Sequence, residues 1–174
     1  MKTAEDNKSQ NFSIYRLKWK DLPAFLRLRH QIEHDATHLV PEKGERKETI
    51  LYALARLIVN RRRTYTLIAV NDKKPVGYIS IIFAKFKKLR GNAYLVLSVV
   101  ASHHGRGIGT RLMQTAEEFA RKQGIRRLEL EVFAKNERAI KLFERLGYER
   151  EGRRRKAVES TDGFDDIIFM AKFL

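Results

Sequence analysis

The chain has 174 residues, 43% of them hydrophobic, and its 36 lysines and arginines outweigh 21 aspartates and glutamates, giving a formal net charge of +15. That length suits one domain with a real core, no apolar run reaches the roughly 18 residues of a membrane span, and the absence of cysteine removes disulfides, thiolate metal sites and a cysteine nucleophile together. A cytoplasmic protein is expected, and the charge favours an acidic partner (nucleic acid, an anionic surface, an acidic protein or a polyphosphate cofactor) without choosing among these or excluding a merely solvated basic surface.

Residues 1–11 have the polar composition of a disordered tail, and residues 12–174 read as a single domain without repeat or linker. Phe12 to Leu17 can form a first strand. Asp21 is the expected N-cap of a helix that places Leu22, Phe25, Leu28 and Ile32 on one face. Pro41 and Gly44 separate it from a second helix over 45–60, whose buried face is Ile50, Leu51, Leu54, Leu57 and Ile58. Two apolar runs, 64–70 and 75–86, flank the turn Asn71-Asp72-Lys73-Lys74 and predict a hairpin. A basic turn from Lys87 to Asn92 leads into a strand from Ala93 to Val100.

His103-His104-Gly105-Arg106-Gly107-Ile108-Gly109 then opens a helix that buries Leu112, Met113, Ala116, Phe119 and Ala120 and stops at Gly124. The strict alternation of Leu128-Glu129-Leu130-Glu131-Val132 predicts a strand with one buried face. Asn136 is the expected cap of a last helix presenting Ala139, Leu142, Phe143 and Leu146, closed by Gly147. Two final strands flank the turn at Ser160 to Gly163. This order of strands and helices predicts an α/β fold, a mixed sheet covered by helices.

Strand, glycine turn and helix start form a ready anion site, because the first amides of a helix are unpaired and carry partial positive charge. A phosphorylated cofactor follows as the hypothesis. The dinucleotide fingerprint requires glycine where Thr110 stands, and the phosphate-binding loop of NTPases requires lysine after its last glycine, where Thr110 again stands.

The segment from Leu97 to Gly109 instead resembles the acetyl-CoA signature of the GNAT acetyltransferase superfamily, a strand running into Gln/Arg-x-x-Gly-x-Gly/Ala at the head of a helix. His104 stands in the first motif position, a departure, with Gly107 and Gly109 in the glycine positions. The second signature, an asparagine before an Ala-Ile-x-Leu-Tyr/Phe helix ending in Gly-Phe/Tyr, appears from Asn136 to Tyr148. Gly44-Glu45-Arg46-Lys47-Glu48, Glu151-Gly152, Asp162-Gly163 and Asp166-x-x-x-Met170 resemble one bacterial branch whose substrates are mostly unassigned. The resemblance extends from Ser13 to Leu174 and implies a central, mostly antiparallel sheet of six to seven strands, splayed in the middle and covered by about four helices.

It further implies transfer of acetyl from acetyl-CoA to a primary amine (a small amine, an amino acid or a protein N-terminus) by direct attack, with no metal. Pantetheine would lie in the splay against the backbone of Val99, Val100 and Ala101, and the pyrophosphate on His104, Gly105, Arg106, Gly107, Ile108, Gly109 and Thr110. Asn136 and Phe143 complete the cofactor set. The Val99 or Val100 amide is the expected oxyanion donor. Two departures touch the chemistry: Phe143 stands where many relatives carry a tyrosine acid, and Tyr94 where the branch often carries a glutamate. Glu131, across the splay, Glu33 (with His34 beside it) and Tyr94 are the candidate catalytic residues. Each has a plain alternative, a solvent-facing strand carboxylate for Glu131 and a helix end for Glu33. His103 is a loop histidine able to titrate near neutral pH. His30, His34 and His38 share helical spacing but offer no fourth ligand, so no metal site is expected.

Alternative readings are an acyl-CoA-binding protein with little activity, suggested by Tyr94 and Phe143, and a nucleic-acid-binding module driven by Arg61-Arg62-Arg63, Lys85 to Arg90 and Arg153-Arg154-Arg155. The final hairpin could also pair with a second copy in a homodimer. No membrane partner is expected.

Overall fold

A computed structural model describes residues 12–35, 55, 63–160 and 163–174. The tail, nearly all of the helix expected over 45–60, His38, Arg61 and Arg62, and the turn residues Thr161 and Asp162 lie outside the described residues. Seven strands form one sheet: β1 (Phe12–Arg16), β2 (Thr64–Asn71), β3 (Lys74–Phe83), β4 (Asn92–Val99), β5 (Arg127–Phe133), β6 (Glu149–Ser160) and β7 (Gly163–Phe173), ordered β1-β2-β3-β4-β5-β7-β6. Three helices are described: α1 (Leu22–Asp35), α2 (Ile108–Lys122) and α3 (Glu137–Arg145). None of them is long and apolar enough to cross a membrane.

Local chemistry accounts for most of these elements. Asp72 and Lys73 adopt left-handed φ values of 47° and 63°, the paired conformation whose twist matches a two-residue hairpin turn between β2 and β3. Asn136 caps α3 by accepting the Ala139 N–H at 3.2 Å. Asp21 does not cap α1 as expected. The chain enters that helix through a 3-10 turn, Trp19–Asp21, and the Asp21 carboxylate closes the turn by accepting the Lys18 N–H at 2.9 Å.

Every neighbouring pair of strands is antiparallel except β4 and β5. On one face α1 buries Leu22, Phe25, Leu26, Leu28 and Ile32, with the Phe25 ring edge-on to Tyr78 at 5.1 Å. α2 buries Ile108, Leu112, Met113, Ala116 and Ala120, and Phe119 stacks on Tyr65 of β2 at 3.6 Å.

One polar group interrupts the apolar seam of α2. Glu117 is buried, 2.7 Å from the Lys172 ammonium of β7 and 3.7 Å from Arg121. Among the described residues, its other oxygen, Oε1, and the buried Tyr148 hydroxyl have no hydrogen-bond partner of normal geometry. The Glu117 charge nevertheless reaches that phenol: burial, then this carboxylate, drive the Tyr148 pKa far above its ordinary value.

Candidate functional site

The site begins where the sheet comes apart. β4 and β5 pair only through Asn92–Arg127, Ala93–Leu128 and Tyr94–Glu129; β4 continues to Val99 beside β3 while β5 continues to Phe133 beside β7. The Val100 N–H donates to the Val76 carbonyl at 2.9 Å, which fixes the alternation along this antiparallel pair. Ser98 and Val96 therefore face β3, and the backbone groups of Leu97 and Val99 turn to the side that β5 has left. Of the two amides expected to serve as oxyanion donor, that of Val100 is committed to β3 and that of Val99 is directed into the gap. His104 reaches back to the same place, its Nε2 lying 2.8 Å from the Val99 carbonyl oxygen. A carbonyl only accepts, so Nε2 carries the proton.

β4 ends at Val99, and Ala101–His103 form a 3-10 turn in which the His104 N–H donates to the Ala101 carbonyl at 3.1 Å. The His104 amide is thereby used within the turn. Gly105 and Gly107 follow at φ values of 76° and 75°, where a side chain costs about 1–2 kcal/mol. Gly107 is the N-cap of α2 and provides no capping side chain, and the first turn contains no acid. The first intrahelical bond runs from the Arg111 N–H to the Gly107 carbonyl, so the amides of Gly107, Ile108, Gly109 and Thr110 have no helical acceptor. At Gly109 an added Cβ would lie 3.2 Å from Leu142 and 3.7 Å from Leu97. Its lack of a side chain lets α2 start close against both β4 and α3.

These parts line a cleft of about 800 Å³, walled by Leu97 to Val99, by the glycine turn and by the start of α3 through Asn136 and Phe143. The volume suits a sizeable ligand. Lys135, Arg138 and Arg145 add positive charge along its α3 wall. Arg138, Leu142 and Arg145 follow one stripe of α3, and Lys135 precedes its cap, a signal that the sequence reading missed by following only the apolar positions. Arg106 and Arg111 are on the glycine turn and first helical turn, and Arg106 is exposed. Partial burial, then the Arg106 charge, hold the His103 pKa below its usual value, with Asp72 opposing.

The catalytic candidates separate. Tyr94 and Glu131 meet across the narrow end of the gap: the Tyr94 pKa is pushed up to about 12 by burial first and by the Glu131 charge second, with a backbone hydrogen bond from Glu131 and the Arg154 charge opposing. Glu131 is directly opposite Phe169 in register, and Arg154 lies 3.9 Å from its carboxylate and 4.9 Å from the Phe169 ring centre. Glu33, in contrast, is buried on α1 beside Arg29 and His30, at 4.0 and 3.9 Å. The α1 residues that reach the cleft are Ile32 and Asp35, and Asp35 is 3.0 Å from His34. Phe143 is buried at the cleft wall and tilted against Tyr148 at 6.1 Å.

Residues 13–148 match the acetyltransferase (GNAT) family. A GNAT-family acetyltransferase from Streptococcus pneumoniae has the same fold, with a TM-score of 0.88 at 23% identity over 94% of this chain and 99% of that one. A Salmonella typhimurium protein solved with its cofactor acetyl-CoA superposes with a TM-score of 0.82 at 18% identity, covering 94% of each chain. The ribosomal protein bS18-alanine N-acetyltransferase of Escherichia coli is 36% identical over 75 residues, 43% of this chain and 51% of that enzyme. At 36–37% identity the chain spans about half or less of the curated relatives it matches.

Proposed function

The chain belongs to the acetyltransferase (GNAT) family, and from that premise we propose that it transfers the acetyl group of acetyl-CoA to a primary amine by direct attack. The observation that carries this reading is the parting of β4 from β5 after Tyr94, which turns the Leu97 and Val99 backbone into the same cleft that the uncapped start of α2 faces. An amide-bearing ligand satisfies such an exposed strand edge, and a diphosphate satisfies such a helix start. The residues present therefore fit the donor. When bound, it supplies an acyl group on a thiol leaving group.

In this proposal the amides of Gly107 to Thr110 hold the diphosphate, with Arg138 and Lys135 adding charge, and Leu97 and Val99 orient the pantetheine. The Val99 N–H is the preorganised donor for charge developing on the acyl oxygen. An amine attacks only when unprotonated. Glu131 is the carboxylate at the gap and takes that proton by way of water. Tyr94, with a pKa of about 12, stays protonated throughout the working range, and its hydroxyl oxygen accepts the Glu131 backbone N–H and so positions the part of β5 that carries Glu131. Glu33 holds α1 in shape through Arg29 and His30. A thiol of ordinary pKa near 8.5 leaves without help, so Phe143 does not preclude turnover.

Among amines, a protein N-terminus is favoured by the relative named for acetylating an alanine of a ribosomal protein. Calorimetry with CoA and thiol release on a panel of small amines, amino acids and short peptides test the reading together. We expect CoA binding, turnover on a peptide N-terminus, and a loss of roughly 10²–10⁴ in kcat for Glu131→Gln with CoA affinity retained. Absence of CoA binding overturns the whole reading. CoA binding with no turnover on any amine leaves an acyl-CoA-binding protein instead.

A further inference from the structure

Two of the basic clusters of this chain, Arg153 to Arg155 and Lys85 to Arg90, do not share one surface. Arg153 and Arg154 of β6 lie beside the gap, and each faces a carboxylate: Asp166 at 2.6 Å and Glu131 at 3.9 Å. The β3–β4 connection is at the opposite end of the sheet, where β4 and β5 begin and β7 ends. There Lys85, Lys87, Lys88 and Arg90 stand within six residues with no acid among them, all exposed, and none is ion-paired among the described residues.

The loop is held in one shape. Its 3-10 turn is closed by the Leu89 N–H on the Phe86 carbonyl, at 2.9 Å, and the Gly91 carbonyl accepts the N–H groups of both Arg126 and Arg127, at 2.8 and 3.1 Å. From this anchored base Phe86 projects 66% exposed and Leu89 48% exposed, with the Lys85 ammonium 5.9 Å from the Phe86 ring centre. Phe173 is directly opposite Arg127 in register and 74% exposed, with that guanidinium 5.3 Å from its ring centre. Lys85, Lys87, Lys88 and Arg90, unpaired among the described residues, therefore stand with two exposed rings, Phe86 and Phe173, outside the cofactor cleft, while Arg127 beneath Phe173 is held by Glu129 and Glu151.

We propose that this end of the sheet, centred on Lys85 to Arg90, binds single-stranded nucleic acid. Unpaired lysines and arginines meet backbone phosphates and release their counterions, while exposed rings offer stacking faces to bases of any sequence. The alternation within Lys85-Phe86-Lys87-Lys88-Leu89-Arg90 favours this partner over a lipid surface, which takes a continuous apolar face. It also favours it over an acidic peptide, which leaves the rings unused. The net charge of +15 supplies the attraction at long range.

The test is fluorescence anisotropy of the full chain with labelled oligo(U) and oligo(dT) of about 20 nucleotides, over about 50 to 200 mM salt. The wild type is expected to bind both, with affinity falling steeply as salt rises. Joint replacement of Lys85, Lys87, Lys88 and Arg90 by alanine should weaken binding at least tenfold at low salt. It should also flatten the slope of log affinity against log salt by up to about 3, at roughly 0.7 per lost contact. Phe86→Ala should weaken binding roughly fivefold or more with the slope unchanged, the signature of lost stacking. The pair Lys141→Ala and Arg155→Ala, elsewhere on the surface, should leave binding within twofold. Calorimetry with CoA checks that each variant is folded, and if the fourfold variant fails that check, Phe86→Ala decides. The proposal is overturned if neither oligonucleotide binds at about 50 mM salt, if loop variants bind like the wild type, or if phosphatidylserine vesicles are bound through this loop and oligonucleotides are not.

Discussion

Replacing Gly107 by alanine separates the two halves of the cofactor cleft. Gly107 is at φ 75° and ψ −2°, where a Cβ costs about 1–2 kcal/mol, so Gly107→Ala either holds that strain or relaxes toward negative φ. For a domain of this length the strain corresponds to a fall in Tm of roughly 2–8 °C. Relaxation re-aims the amides that begin α2. Each hydrogen bond from such an amide to a charged oxygen contributes about 1.5–3 kcal/mol, so losing one weakens CoA roughly 10- to 150-fold. Calorimetry with CoA and with pantetheine, which lacks the diphosphate, distinguishes the parts. CoA affinity should fall while the weaker pantetheine affinity stays within about twofold, since the Leu97 and Val99 backbone is untouched. If the variant loses both ligands equally, or neither, the uncapped start of α2 is not where the diphosphate rests.

Two further substitutions probe the interior. Lys172→Met leaves the buried Glu117 carboxylate with only the more distant Arg121, and should cost about 2–4 kcal/mol in urea unfolding; the double variant with Glu117→Leu should recover more than half of it, and simple additivity would show that the pair is not coupled. Tyr94 has a folded pKa raised from 10.0 to about 12, so its neutral form is favoured in the folded state. That contribution is complete below pH 10 and is lost as pH rises from 10 through 12. Stability should thus fall less steeply in that window for Tyr94→Phe than for the wild type, while the pH profile of kcat/KM between about 6 and 9 keeps its shape. A profile that moves in that range would mean Tyr94 titrates there and serves as the base.

How much of this was legible in the sequence depends on the distance over which each feature is decided. The strict alternation of residues 128–132, the cap at Asn136 and the glycine turn are settled by neighbours a few residues apart, and each formed where its local chemistry required it. Asp21 shows the limit of that logic. Its side chain could close either the helix ahead of it or the turn behind it, and the geometry of the approaching chain chose the turn. Glu117 marks a second limit. It lies on the buried face of α2, a position the apolar pattern of that helix does not name, and its partner is Lys172, 55 positions away, with no periodicity to connect the two.

The gap itself belongs to this second kind. Nothing in Leu95 to Val99 distinguishes a strand paired on both edges from one paired on a single edge, since both read as an apolar run. The parting is a disagreement between two partners: β3 holds β4 in register as far as Val99, and β7 holds β5 as far as Phe133, while β4 and β5 touch for only three residues. Each strand is therefore fully supported on its outer edge, and the inner edges can remain open without unravelling the sheet. That division fixes what a ligand finds there. The Leu97 and Val99 groups are presented by a framework already bonded elsewhere, so little chain ordering remains to oppose binding, the condition under which backbone contacts give affinity. The His104 side chain already occupies the Val99 carbonyl at the mouth of that opening, so a ligand that bonds there has to displace this contact or share it.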